Sequence, residues 1–159
     1  MIDTIISGGQ TGADQAFLRF AARTGLKTGG WAPKHYRTEA GQARWLGTEY
    51  GLKEHPEKRY SGRTLANVRE GDLTLIVGMP SSGCNLTQQF CGAQWEGKPW
   101  LWIKWPDYPA DQQDDARLVR EWLACYPAAT ILNGAGNREE KNPGIGAYTE
   151  DLLTRVFIF

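Results

Sequence analysis

The residues of this 159-residue chain best suited to chemistry sit mostly in short, polar, glycine-containing stretches, several of which follow an apolar run. The first is Ser7-Gly8-Gly9-Gln10-Thr11-Gly12-Ala13-Asp14. Its glycines let the backbone turn sharply and approach a ligand without Cβ clashes. A helix beginning at its end would aim free N–H groups and a positive dipole end at an anion, typically phosphate. It lacks the lysine and spacing of a nucleoside-triphosphatase loop, and its glycines do not follow the G-x-G-x-x-G dinucleotide pattern. A tight turn without a ligand would use the same glycines, but Ser7, Gln10, Thr11 and Asp14 supply more polar groups than such a turn needs.

Further stretches repeat the theme. Gly29-Gly30-Trp31-Ala32-Pro33-Lys34 offers a second close backbone approach and a point charge on Lys34, or else a plain loop with a solvated lysine. Tyr60, Arg63 and Asn67 are spaced by three and four, so one helix face carries them toward a ligand or toward water. Ser82, Gly83, Cys84 and Asn85 lie in a turn entering a helix that carries Thr87 in its first turn. Cys84 there is a small filler, a redox-sensitive thiol or a direct contact; a helix N-terminus would lower its pKa. Asn133, Gly136, Arg138 and Glu139 belong to a last glycine-rich segment, where the planar fork of Arg138 suits an oxyanion.

Periodicity supplies the elements that must position these groups. Ile2, Thr4, Ile5 and Ile6 read as a buried strand, and residues 14–24 as a helical pattern with Ala13, Ala16, Phe17, Phe20 and Ala21 on one face, stopped by Gly25. A short strand ends at Gly29-Gly30, and residues 35–60 show no clear period, as functional or mobile loops do. Ser61 is expected to cap a helix stopped at Gly71. Residues 72–78 form the clearest central strand, buried on both faces. A helix is expected from Leu86 to Glu96, ended by Gly97, with Leu86, Phe90 and Ala93 aligned. Then come a strand at 99–103, a helix capped by Asp111 with Leu118, Val119, Trp122 and Leu123 buried, a strand at 130–133 opening into a glycine-rich turn, and a final amphipathic helix carrying Tyr148, Leu152, Leu153 and Val156. Alternating strands and helices predict one α/β domain over residues 1–159: a Rossmann-like, three-layer fold with a mainly parallel central sheet. Two strand–turn–helix units would face one crevice at the carboxyl edge.

Composition narrows the function. Eighteen basic residues balance eighteen acidic ones, which argues against nucleic-acid or membrane partners, though not against a local basic pocket. No run approaches the roughly 20 apolar residues of a membrane span, and nothing resembles a signal peptide, so a cytoplasmic protein is expected. Cys84, Cys91 and Cys125 are odd in number and lack metal-ligand spacing; with only two histidines, no protein-held metal and no histidine-based nucleophilic triad are expected. Seven tryptophans serve core packing or an oligomer interface, or stack on a ring.

Taken in order, Ser7–Asp14, Gly29–Lys34, Arg63-Thr64 with Asn67-Val68, residues 72–76 and Leu132-Asn133-Gly134-Ala135-Gly136-Asn137-Arg138-Glu139 give the chain a family likeness. It resembles the proteins named putative molybdenum carriers, within the Rossmann-like superfamily that includes the lysine-decarboxylase-like LOG proteins and the DNA-processing DprA proteins. The resemblance covers Ile5 to about Ile145. It implies a non-catalytic carrier for molybdenum cofactor, a phosphorylated pterin that brings its own metal coordination. Gly8, Gly9, Thr11, Gly12, Ser82, Gly83 and Thr87 would cradle the anion and Lys34 and Arg138 supply charge. Gln10, Asp14, Arg63, Asn67, Cys84, Asn85, Asn133, Gly136 and Glu139 stand nearby as further binding candidates. A homo-oligomer, dimer or tetramer, and a recipient molybdoenzyme follow from the same likeness. The chain departs from the family in Ser82-Gly83-Cys84, where a Gly-Gly-Thr start is typical. The alternative is a nucleotide-binding protein or a nucleoside-monophosphate phosphoribohydrolase like the LOG relatives. That activity uses a carboxylate where this chain has Gln88 and Gln89, leaving Glu139 or Asp14 to substitute.

Overall fold

The computed structural model describes residues 1–106 and 112–158. The strands are β1 (Thr4–Ser7), β2 (Lys27–Gly29), β3 (Trp31–Ala32), β4 (Arg37–Thr38), β5 (Gly41–Gln42), β6 (Lys53–Glu54), β7 (Leu73–Val77), β8 (Trp100–Ile103) and β9 (Ile131–Gly136). The α-helices are α1 (Ala13–Arg23), α2 (Trp45–Tyr50), α3 (Tyr60–Glu70), α4 (Ser82–Cys91), α5 (Gln112–Ala124) and α6 (Ile145–Phe157). A five-stranded sheet in the order β2-β1-β9-β7-β8 runs through the centre. Every pairing in it is parallel, with Ile5 opposite Leu132 and Ile76 opposite Ala135. The Rossmann-like, three-layer α/β architecture expected from the sequence is therefore present.

All five residues of β7 are buried, as its apolar run requires. Ile5, Leu73, Leu75, Val77 and Leu132 share one core with Phe17 and Phe20 of α1, Val119 of α5 and Leu152 and Leu153 of α6. A smaller cluster of Val68, Phe90 and Cys91 joins α3 to α4. The strand period of two sends alternate side chains into these layers.

Several boundaries differ from the expectations. Helix α3 begins at Tyr60 after an extended Arg59, so Ser61 lies inside it and does not cap it, whereas Gly71 does end it. Helix α4 spans Ser82–Cys91, not 86–96, because the Ser81 hydroxyl accepts the Cys84 N–H at 3.1 Å and caps it four residues earlier. Gly92 ends it, and the chain folds back so that Trp95 meets Phe90 edge-on, 4.8 Å between centroids. Residues 35–60 are not a bare loop: α2 and Leu52 bury Leu46, Tyr50 and Leu52 against Leu18 in a separate small core. In α5, Val119 is buried but Leu118 is 45% exposed, and the expected Asp111 cap lies outside the described residues.

Strand β9 runs on through Gly134-Ala135-Gly136, a stretch expected to be turn. The reason is close packing. A Cβ at Gly134 would stand 2.2 Å from the Phe17 ring, and one at Gly136 2.6 Å from the Ala13 Cβ. These glycines let α1 lie directly on the central strand.

Candidate functional site

Strand order decides which loops meet. Because β9 enters between β1 and β7, the loops after all three strands emerge side by side at the carboxyl edge, where open parallel sheets bind ligands. Between them lies a cavity of about 510 Å³. Gln10 and Asp14 line it from the loop after β1 and the start of α1, and Tyr60, Arg63 and Thr64 from α3. Met79 through Gly83, Leu86 and Thr87 line it from the entry and first turns of α4, and Ala135 through Arg138 with Lys141 from β9 and beyond.

Arg63 and Asp14 form an ion pair, Nη1 to Oδ2, at 3.3 Å, with their side chains 14% and 5% exposed. The Gln10 backbone N–H also donates to Asp14 Oδ2, at 3.2 Å. Burial raises the Asp14 pKa above 3.8, opposed by the Arg63 guanidinium and the Gln10 N–H. It lowers the Arg63 pKa, opposed by Asp14. Desolvation thus exceeds mutual attraction for both partners, the ordinary situation of a buried pair. The Arg63 Nε is buried without a hydrogen-bond partner, and so is Gln10 Oε1. The Gln10 amide nitrogen donates to the Arg37 carbonyl at 2.9 Å.

Three guanidinium groups surround the Tyr60 ring: Arg37 at 4.6 Å, Arg138 at 4.9 Å and Arg63 at 5.6 Å from its centroid. With Lys141 also lining the cavity and Asp14 the one carboxylate among the described lining residues, the site carries net positive charge. Glu39 and Glu140 stand close enough to raise the Glu39 pKa, chiefly through burial and then through Glu140, while Arg138 and Lys141 oppose the rise.

Of the expected site residues, the structure brings Gln10, Asp14, Arg63, Ser82, Gly83, Thr87, Gly136 and Arg138 to this cavity. Others turn toward the protein itself. A Cβ on Gly8 would sit 1.5 Å from Arg63 Nη1, one on Gly9 2.7 Å from Leu46 Cδ1, and one on Gly12 2.6 Å from the Asn137 carbonyl oxygen. The first turn of α1 is occupied too: Ala13 N–H donates to the Asn137 carbonyl at 3.1 Å and Gln15 N–H to the Gln10 carbonyl at 3.1 Å. The Thr11 hydroxyl is buried without a partner and does not line the cavity. Asn67 joins α3 to β3, accepting the Trp31 N–H at 2.8 Å and donating to the Trp31 carbonyl at 3.0 Å. Asn133 donates to Thr74 Oγ1 at 3.3 Å within the sheet. Glu139 caps α6, accepting the Gly144 and Gly146 N–H groups at 2.8 and 3.1 Å. Lys34 and Asn85 do not line the cavity. Cys84 is 1% exposed, and burial pushes its thiol up to about 11, as a filler side chain would show.

Tyr60 reaches the cavity on the helix face it shares with Arg63, whereas Asn137 and Lys141 line it without having been expected there. Asn137 ties two of the converging loops together. It accepts the Met79 N–H at 2.7 Å and donates to the Met79 carbonyl at 2.9 Å. An asparagine after a glycine-rich strand end is the signal that could have found it, since buried amides of this kind are almost always hydrogen-bonded. Gln88 and Gln89, at the position of the LOG carboxylate, do not line the cavity. Among the described residues no three His, Cys, Asp or Glu side chains group as a metal ion requires, and no described helix is long and apolar enough to cross a membrane.

The circularly permutated YpsA SLOG family matches residues 5–157 of the chain. A solved structure from Syntrophus aciditrophicus SB, named "Putative molybdenum carrier protein", superposes with a TM-score of 0.88 at 38% identity, covering 98% of this chain and 95% of that one. No curated protein matches the chain. With nearly its whole length accounted for by that family, and a cavity formed where the strand order places one, the chain belongs to the circularly permutated YpsA SLOG family.

Proposed function

We propose that this chain, acting as one ligand-binding domain, is a non-catalytic carrier for molybdenum cofactor or a closely related phosphorylated anion. The observation that carries the reading is the cavity at the carboxyl edge, where Arg63, Arg138 and Lys141 face the first turn of α4 and a single described carboxylate. Guanidinium forks and free helix-start amides suit phosphate oxygens. The name of the Syntrophus aciditrophicus structure supports a molybdenum-related ligand. The chain's own residues fit the organic and phosphate parts of such a ligand: the partnerless Gln10 Oε1 and Arg63 Nε leave hydrogen-bonding capacity at the cavity lining. Arg138, Lys141 and the amides of Ser82 and Gly83 would hold the phosphate, Tyr60 would flank the ring, and the cofactor would supply its own metal coordination. We place the protein in the cytoplasm as a homo-oligomer that hands its ligand to a molybdoenzyme.

Thermal-shift measurement against molybdenum cofactor, molybdate, tungstate and nucleoside monophosphates tests this. A ligand at 100 times its Kd stabilises by about 2.7 kcal/mol, which for a chain of this size is roughly 5–10 °C in Tm. The expected result is a shift with molybdenum cofactor, and about tenfold weaker binding by Arg138→Ala, or ~1.4 kcal/mol, with unchanged Tm in the free protein. A shift confined to nucleotides, with release of free base on incubation, would replace the carrier by a phosphoribohydrolase using Asp14.

A further inference from the structure

The two edges of the central sheet are finished differently. At the β2 edge, α2 reaches over the strand, and the Thr28 hydroxyl donates to the Tyr50 carbonyl at 2.9 Å. At the opposite edge, β8 has no strand beyond it among the described residues. The Pro99 and Ile103 carbonyls accept the Thr74 and Gly78 N–H groups on the β7 side, at 3.0 and 2.9 Å. By the alternation of a parallel ladder, the backbone groups of Trp100 and Trp102 then point away from β7. A charged side chain commonly guards such an edge, but the Lys104 ammonium is turned back over the Trp102 ring, 5.5 Å from its centroid. Helix α4 packs over β7 and β9, and beside it Trp100 stays 39% exposed. On the other face of the sheet, α6 lies between α1 and α5. Ala116 and Val119 of α5 are buried in the main core, and Arg120 donates to the Arg155 carbonyl of α6 at 2.8 Å. Leu118 and Trp122 therefore share the flank of α5 turned away from α6. Tyr126, just past the helix end, sets its ring edge-on to Trp122 at 6.1 Å. Leu118 is exposed along this flank and Tyr126 is 37% exposed.

We infer that β8 and the outer flank of α5 form the docking surface for a second copy of this chain, the two β8 edges meeting antiparallel about a twofold axis. This rests on the homo-oligomer proposed above and gives it an interface. A strand edge in antiparallel pairing is complementary to itself. The same axis sets α5 beside its counterpart, stripe against stripe, as an isologous contact requires. Charge does not oppose the approach: Arg117, next to the stripe, is paired with Asp114 at 3.5 Å and Glu121 at 3.1 Å, and the chain is neutral overall. The uncovered parts of Trp100, Leu118 and Tyr126, with half-buried Trp102 and Trp122, amount to roughly a few hundred Å² per copy. That suffices for the apolar centre of the ~800 Å² each partner gives to a standard interface.

Sedimentation equilibrium of the intact chain over a wide concentration range tests this. The expected mass is twice 17.8 kDa, or four times if a second interface joins dimers. Leu118→Glu and Trp100→Lys, on different elements, should each halve that mass while far-UV circular dichroism and binding of molybdenum cofactor stay unchanged. Where circular dichroism shows one variant unfolded, the other decides. Trp45→Lys, at a 43% exposed tryptophan of α2 near the other edge, should leave the mass as it was. In the wild-type oligomer the Trp100 and Trp102 amides should exchange at least tenfold more slowly than in Leu118→Glu. A monomer at every concentration would overturn both this interface and the homo-oligomer, with cofactor binding still measurable on its own. An oligomer that survives both edge substitutions, or that Trp45→Lys dissociates instead, would overturn the interface alone. So would Trp100 and Trp102 amides that exchange alike in both proteins.

Discussion

Gly8 lacks a side chain because Arg63 occupies the space. A methyl there would fall 1.5 Å from Nη1, on the flexible end of the side chain that pairs with buried Asp14. Gly8→Ala is therefore expected to displace the guanidinium without breaking the backbone. We predict a stability loss of about 1–3 kcal/mol by urea unfolding, and at least a tenfold loss of phosphate-ligand affinity. Gly83 provides the contrast, since a Cβ there meets nothing within 4 Å. Gly83→Ala should leave unfolding unchanged within about 0.5 kcal/mol. If Gly8→Ala behaves the same way, Arg63 has another position open to it and the glycine has some other purpose.

At the scale of elements, the sheet is fastened at its amino edge by one carboxylate. Asp72, just before β7, accepts the N–H groups of Thr130 and Ile131, both at 2.9 Å, and the Thr130 hydroxyl at 3.3 Å. These bonds lower its pKa below 3.8. The unfolded chain therefore binds a proton more readily than the folded one, so the group contributes stability above 3.8 and loses it as pH falls through the folded value. Asp72→Asn should cost about 1–2 kcal/mol at pH 7, small because the group is exposed. Denaturation at about pH 3 should show that difference shrinking; a pH-independent difference would mean that hydrogen-bond geometry, not charge, matters. Asp14 has the opposite sign, since burial raises its pKa and its contribution is lost as pH rises through the folded value.

For the molecule as a whole, the cavity belongs to no single element: α3, the entry to α4, the loop after β1 and the loop after β9 each form part of its lining. Asn137 links two of them through Met79, and a third hydrogen bond of 3.0 Å runs to it from Asn142. A ligand that bridges these segments should rigidify them together. Hydrogen exchange with and without neopterin monophosphate or GMP should show slowed amides at 10–14, 79–84 and 137–141, with β2 and the last turn of α1 unchanged. Protection spread evenly over the chain would indicate general stabilisation, and protection at Trp31 and His55 would move the site to the shallow groove they line.

The sequence by itself determined the local grammar of this protein. Apolar runs such as Leu73–Val77 had to become buried strands, and the periodic faces of α1 and α6 had to pack on them, because a period of two or 3.6 is written in neighbouring residues. It also pointed to Arg63, Arg138 and the turn into α4. Only the tertiary structure decided that β9 enters between β1 and β7, and with that which loops meet. It turned Gly134 and Gly136 into contacts for α1, Glu139 into the cap of α6 and Asn67 into a clasp on β3. It also gathered Arg37, Arg63 and Arg138 around Tyr60. Such roles depend on the partner reached across dozens of residues of chain, and a local pattern carries no record of that partner.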